Sequence, residues 1–371
     1  MAGKRHIYAD NAATTCMSPK AIETMCHYLS CQYGNASQPY SFAREPKRAL
    51  KEARRIIADC INANPDEIYF TSGGTESDNW ALTNAWRQKR NIVTTKIEHH
   101  AILHTCADIE AKGRTVSYLS PMSNGIIAID TLEKSIAPHS FVSIMTANNE
   151  IGTIVPVSQY ASFAHGFDTI FHTDAVQAVG HIEINVKDWG IDMLSASGHK
   201  FNGPKGIGFL YARNGIDIYP FIHGGAQENN KRAGTENVGA IMAMAVALQE
   251  NIEHLQENTR HLYILEEIIL DGLHRANIDY LRNGFNQLPG LLSLSFANKN
   301  GEAILHRLDL LGISVSTGSA CDSQNTQISH VLKAIKLPSE YAKGTIRISL
   351  GKNNTEEEAK AIVNSLIRII S

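Results

Sequence analysis

Asp192-Met-Leu-Ser-Ala-Ser-Gly-His-Lys-Phe-Asn-Gly-Pro-Lys-Gly-Ile-Gly208 runs from an apolar start into a turn. Neither a helix nor a strand interior tolerates such a turn, because Gly and Pro break both. Lys200 therefore sits on it, just past a short apolar run. Two chemistries are open to this lysine. A loop lysine is ordinarily a solvated surface charge. With Ser197 and His199 beside it as donors that grip a phosphate, its amine can instead form a Schiff base. The choice rests on what the rest of the chain brings to the same place.

Upstream, apolar runs alternate with helical patterns. Residues 169–173 form a strand that ends at Asp174-Ala175-Val176-Gln177, and residues 141–146 form another that ends at Asn148-Asn149-Glu150. Residues 91–95 end at Glu98-His99-His100, before a helical pattern over 101–110. Residues 68–72 read as a strand, Gly73-Gly74 as a turn, and Thr75-Glu76-Ser77-Asp78 as a capping-box-like helix start. This alternation specifies an α/β fold, with a mostly parallel sheet covered on both faces. Ligands of such sheets sit at the carboxyl ends of the strands. Here those ends carry His99, Asn149, Asp174 with Gln177, and Lys200. Each has a local alternative, such as a core role for His99 or helix capping for Asp174. A shared ligand accounts for all of them together. The Gly73-Gly74 turn is either a plain connection or an anion site, because free N–H groups and the helix dipole favour phosphate there. Arg232-Ala233-Gly234-Thr235 is a further phosphate candidate.

Towards the N-terminus, residues 6–9 are strand-like and Asp10-Asn11-Ala12-Ala13-Thr14-Thr15 is a small polar turn. Ser18-Pro19 opens a helix to about residue 29. After a polar loop, a second helix carries Leu50, Ala53, Ile57, Cys60 and Ile61 on one face. Residues 238–273 are helical in pattern, with a polar interruption at 257–260 that reads as a seam. The expected division is a large α/β unit, 14–256, and a smaller α+β unit built from 1–13 and 257–371. The smaller unit has strands near 291–296, 313–316 and 345–350, the last including Arg347, and a loop at about 317–328. A final helix is capped by Thr355 with Glu358 and buries Ala359, Ile362, Val363, Leu366 and Ile370.

Of the 371 residues, 43% are hydrophobic, ample for a buried core, and the formal charge is only −3. Without a basic run, no nucleic-acid partner is expected. No apolar stretch has the length of a signal sequence or a membrane span, so the cytoplasm is the default. The six cysteines include no C-x-x-C pair. No structural metal site or disulfide framework is expected.

An imine-forming lysine, a carboxylate on a strand end, an imidazole and two or three phosphate-binding turns together suit pyridoxal 5'-phosphate. An acid that keeps the ring nitrogen protonated lets the ring accept electrons from a substrate carbanion. Asp174 has the position for that acid. At nearly every one of these points the sequence resembles the cysteine desulfurases, fold-type I pyridoxal-phosphate enzymes of the class V aminotransferase-like group. The likeness runs from Asp10-Asn11-Ala12-Ala13-Thr14-Thr15 through Thr71-Ser72-Gly73-Gly74-Thr75-Glu76-Ser77 and Asn148-Asn149-Glu150 to Ser195-Ala196-Ser197-Gly198-His199-Lys200. Ser316-Thr317-Gly318-Ser319-Ala320-Cys321 is similar to the longer cysteine loop of the group I form.

The resemblance implies roles residue by residue. Lys200, rather than Lys205, would hold the cofactor as a Schiff base. Asp174 would pair with the ring nitrogen, Gln177 would bond the phenolic oxygen, and His99 would stack on the ring. Gly74, Thr75, Ser197 and His199 would hold the phosphate, with Thr235 arriving from the second subunit of a homodimer. Asn149 would line the cofactor site and, with Arg347, receive the substrate carboxylate, for which Arg offers a bidentate pair. L-cysteine would leave as L-alanine, its sulfur held as a persulfide on Cys321 and passed to an acceptor protein for iron–sulfur cluster assembly or thiolation. A free thiol titrates near ~8.5, so Cys321 needs a base, for which His99 is the candidate. The local alternative for Cys321 is a buried structural thiol, but its Gly, Ser, Asp and Asn neighbours favour an exposed loop. Three positions depart from the family: Tyr40 where histidine is usual, Ala43 where glycine is usual, and Asp322 where a hydroxyl residue is commoner. Rival readings are a selenocysteine lyase, an aminotransferase with no use for Cys321, and a sulfur-relay or scaffold subunit acting by contact.

Overall fold

The structure, a computed structural model, describes residues 6–318 and 328–371. Its strands are β1 Ile7–Tyr8, β2 Ile68–Thr71, β3 Ile92–Thr95, β4 Val116–Leu119, β5 Phe141–Ser143, β6 Ile170–Asp174, β7 Met193–Ser197, β8 Gly208–Ala212, β9 Leu281–Arg282, β10 Leu291–Ser295, β11 Ile313–Ser314 and β12 Thr345–Ser349.

The large sheet has the order β2-β8-β7-β6-β5-β3-β4, and only β8 runs against its neighbours. The apolar runs are continuous because successive side chains enter two different cores. Phe141, Ile170, Met193 and Leu210 pack with Trp80, Leu82, Ile102 and Cys106 from the helices Gly74–Arg87 and His100–Ala111. Val142, Phe171, Leu194 and Phe209 point the other way, into a core shared with Ile57 of the helix Arg44–Ile61 and Met244 of the helix Val238–Glu253. Past β5 the chain stays beside β6, since the Ile144 and Thr146 N–H groups donate to the His172 and Asp174 carbonyls. That carries Asn148 and Asn149 to the same sheet edge as Asp174.

Two strands of this sheet, β4 and β8, were not expected from the sequence. In β8 the reason is Gly208, which weakens a strand pattern. A Cβ there would lie 2.4 Å from the Ala196 carbonyl oxygen and 2.7 Å from Gly73 Cα. Gly208 pairs with Thr71 on one side and Ser197 on the other, so it draws the ends of β2 and β7 together.

A second, antiparallel sheet, β12-β10-β9, packs with the helices Leu255–Arg275, Gly301–Leu310 and Glu356–Ile370 around Leu265, Ile269, Leu292, Leu308, Ile348 and Leu366. Ile7 and Ala9 belong to this core, and β1 pairs with β11. Thr355 caps the last helix in a capping box with Glu358, as expected. The helical interruption lies elsewhere than expected. Glu257–Arg260 is helical, its polarity explained by an outward face, and the break falls at His254, with φ −108° and ψ 15°. No helix among the described residues is long and apolar enough to cross a membrane.

Candidate active site

Lys200 ends a single 3-10 turn, Gly198–Lys200, directly after β7. Its Nζ donates to the carbonyls of Ala12 at 2.5 Å and Ala13 at 2.9 Å. The small turn at residues 10–15 thus lies against the lysine. It is held there by Thr15, whose N–H and Oγ1 both donate to the His199 carbonyl, and by Thr14 Oγ1, 3.1 Å from His199 Nδ1. Gln177 joins the same turn, its Nε2 donating to Ala12 O at 3.0 Å. Burial and the nearby Lys200 and Lys205 charges push the His199 imidazole down to about 4, so it stays neutral. Lys205 itself is exposed.

Asp174 is the last residue of β6 and is buried; the Val176 N–H donates to its Oδ1 at 2.9 Å. Burial raises its carboxyl above the usual range, against the opposing pull of His99 and Lys200. His99, Asp174 and Asp78 bring a ring nitrogen and two carboxylate oxygens within 4.8 Å of one another. The His99 Nδ1 accepts from the Ala101 N–H at 3.1 Å, so Nε2 carries the hydrogen, and burial lowers its basicity. In this tautomer His99 is a proton donor. Accepting the Cys321 proton at Nδ1 would break the Ala101 bond.

The helix Gly74–Arg87 begins with no side-chain cap; Gly73 is its N-cap, not a Thr75 capping box. Glu76 reaches back to accept from the Ser72 N–H and also pairs with Arg232 at 2.9 Å. Gly73, Gly74 and Ser197 lie together at this helix start. A Cβ on Gly74 would come 2.4 Å from Val176 Cγ2, and one on Gly73 3.5 Å from Ser197 Oγ. Thr75 and Thr235 are exposed.

Arg347, in the middle of β12, is buried. Its Nη1 donates to the Asn149 carbonyl and its Nη2 to Asp10 Oδ1, both at 2.7 Å, while Nε has no partner. Arg347 and Asn149 are thus together, with Asp10 already on the guanidinium. Cys321, with Asp322, lies outside the described residues. Tyr40 is exposed and Ala43 is buried.

Sequence reasoning missed four buried groups near this edge. Asp78, Glu98, His172 and Glu150 are all nearly or fully buried. Burial lifts Glu98 to about 8 and Glu150 to about 7, and lowers His172 to about 3. Only His172 carries a sequence signal, a polar residue inside an apolar run; Asp78, Glu98 and Glu150 stand in polar stretches that read as helix start or strand end.

Residues 7–362 match the aminotransferase class-V family. The chain belongs to this family. It is 45% identical to the cysteine desulfurase IscS of Dictyoglomus turgidum over 374 residues, covering 99% of this chain and 95% of that protein. A solved NifS-like protein superposes with a TM-score of 0.92 at 37% identity, covering 98% of this chain and 99% of that one. A structure described as SspA in complex with cysteine superposes at 0.83 with 35% identity, covering 94% and 100%.

The cofactor of this class-V family member is pyridoxal 5'-phosphate, and the residues fit it. Asp174 is a buried carboxyl that a protonated ring nitrogen would balance. The uncapped helix start at Gly74, closed by Ser197, is a cradle for a phosphate dianion. Lys200 supplies the amine, near enough to Asp174 for its charge to act on that carboxyl.

Proposed function

We propose that this chain is a pyridoxal-phosphate-dependent cysteine desulfurase acting on L-cysteine. One observation favours sulfur transfer over amino transfer. The ends of the segment that contains Cys321, Gly318 and Ser329, both lie against Glu150, one residue from Asn149. The chain enters and leaves the stretch that carries Cys321 close to Asn149, whose carbonyl accepts from Arg347, and these two residues suit an amino-acid carboxylate. Amino transfer has no use for a sulfur nucleophile.

When bound, the cofactor stabilises negative charge at the substrate Cα. Asp174 would hold the ring nitrogen, Gln177 the phenolic oxygen, and the Gly74 amides, Thr75, Ser197 and His199 the phosphate. Lys200 Nζ would remove the substrate Cα proton and return one later. Arg347 turns from Asp10 to the substrate carboxylate. The Cys321 thiolate attacks the substrate Sγ: a sulfur–sulfur bond forms as the Cβ–Sγ bond breaks, and Cβ ends protonated. L-cysteine plus a thiol give L-alanine plus a persulfide, so atoms and electrons balance.

The persulfide then passes to an acceptor protein for cluster assembly or thiolation. We place the enzyme in the cytoplasm, as a homodimer whose second subunit brings Thr235 to the phosphate. Its free described cysteines suit a reducing compartment. The two apolar cores support a division into 14–256 and 1–13 with 257–371, except that Ala12, Leu288 and Leu291 of the smaller unit pack into the larger core.

The test is Cys321→Ala in cofactor-loaded protein. Alanine release from cysteine should fall by more than about a hundredfold while the visible cofactor absorbance stays. Undiminished alanine release would reject the assignment.

A further inference from the structure

The guanidinium that suits a substrate carboxylate already carries an anion. Asp10 Oδ1 accepts from Arg347 Nη2 and the Asn149 carbonyl from Nη1, both at 2.7 Å, while the buried Nε has no partner. A carboxylate that takes a guanidinium side by side needs two neighbouring N–H groups, either Nε with Nη2 or Nη1 with Nη2. Both pairs include Nη2. An incoming carboxylate therefore meets Asp10 at that nitrogen and has to displace it.

Even when displaced, Asp10 stays beside the arginine, because both backbones are fixed. Asp10 bridges to Ser349, and its carbonyl accepts from the Tyr8 hydroxyl and from the Ala13 N–H, each at 3.0 Å. The next two amides, Asn11 and Ala12, donate to the Ser349 carbonyl and hydroxyl. Arg347 pairs with Ser293 of β10 and exchanges backbone hydrogen bonds with Ser316. The Arg347 and Asp10 side chains are 5% and 19% exposed, so little water screens them. Two carboxylates held near one such guanidinium repel each other. A second acid that acts on Arg347, Glu150, is pushed up to about 7 by burial, and its Oε2 accepts from Ser329. Asp10 is thus the acid bonded to the guanidinium.

We propose that Asp10 is a built-in rival of the substrate carboxylate. Its charge sets the affinity of the site for amino acids, the alanine product included, below what Arg347 would give without it. This rests on the reading that Arg347 receives the carboxylate. Binding lost equally from substrate and transition state raises KM without lowering kcat, and it lets alanine leave.

The experiment compares cofactor-loaded wild type with Asp10→Asn, Asp10→Ser and Arg347→Ala. L-alanine and L-alaninamide share an amine and differ in the carboxylate; each is titrated while the cofactor absorbance is followed. Asp10→Asn keeps an oxygen for Nη2 and loses the charge. Its Kd for L-alanine should fall about tenfold, while its Kd for L-alaninamide changes by less than about twofold. Asp10→Ser, which also lacks the charge, should shift the preference in the same direction. KM for L-cysteine should fall in Asp10→Asn by a larger factor than kcat changes. Equal or weaker alanine binding in both Asp10 variants would overturn the proposal and make Asp10 a support for the arginine. An equal gain for alaninamide would also overturn it, since the carboxylate would then not be what Asp10 opposes. Arg347→Ala judges the reading beneath: if it keeps the wild-type preference for alanine, Arg347 does not receive the carboxylate and both fall. If that preference is lost while the Asp10 variants match wild type, the proposal alone fails.

Discussion

Asp78 has one carboxylate oxygen without a hydrogen-bond partner although the residue is 1% exposed. Burial raises its carboxyl well above the ordinary value of 3.8, and the neighbouring Asp174 charge adds to this. No cation offsets it within the sheet, because His172, bridging Ser143 and Ser195 by hydrogen bonds of 2.9 and 3.0 Å, is held neutral by burial. The sign follows directly. The folded protein binds a proton at Asp78 that the unfolded chain releases near 3.8, so stability falls as pH rises above that value. Asp78→Asn removes the dependence and keeps the shape. Its cofactor-free form should melt about 2 °C or more above wild type at pH 8, with the gap closing towards pH 4, by scanning calorimetry. Equal melting at both pH values would show that Asp78 is ionised in the fold at no cost. At this scale the sequence spoke where chemistry and position coincide. Lys200, Asp174 and Gln177 follow apolar runs and were legible. Asp78, Glu98 and Glu150 were not, because the burial that shifts them comes from helices and strands far away in the chain.

Among elements, β8 shows why local pattern reading stops short. Gly-Phe-Leu-Tyr-Ala has strand formers, but it opens with glycine and follows a turn rich in Gly and Pro, so it reads as loop. The glycine is required by the sheet: both neighbours of Gly208 crowd the place of a Cβ. Gly208→Ala should therefore push Ala196 and Gly73 apart, destabilising the protein by about 1–3 kcal/mol. Because Gly73 and Ser197 frame the phosphate cradle, the affinity for pyridoxal phosphate should also drop, by about tenfold if 1.4 kcal/mol of the strain reaches the site. Denaturant titration and fluorescence titration with the cofactor read the two effects separately. Unchanged values in both would mean that the sheet absorbs the extra carbon. The break at His254 carries the same lesson. The polar run at 257–260 marks a solvent-facing helical turn, whereas the real interruption shows only in the backbone angles of His254 and has no sequence signature.

At the scale of the molecule, the open point is whether one chain makes a complete site. Arg232 is pinned to Glu76 at the start of the helix Gly74–Arg87, yet Thr235, three residues on, is exposed. A loop anchored beside one cradle and presenting a hydroxyl outward is suited to serve a neighbouring copy. Subunit mixing tests this by counting sites. A Lys200→Ala chain lacks the amine, and a Thr235→Ala chain lacks the donated hydroxyl. If each site combines Lys200 of one chain with Thr235 of the other, a mixed dimer contains one intact site and one doubly altered site. Equal amounts of the two chains, unfolded and refolded together, give mixed dimers as about half of the population, so about one quarter of wild-type sites are restored. Mixing should then raise alanine release well above the mean of the two separate variants, towards about one quarter of wild type plus whatever the Thr235→Ala dimers retain. If Thr235 instead serves its own chain, every site in the mixture stays altered, and activity stays at the average of the parents however long the chains exchange.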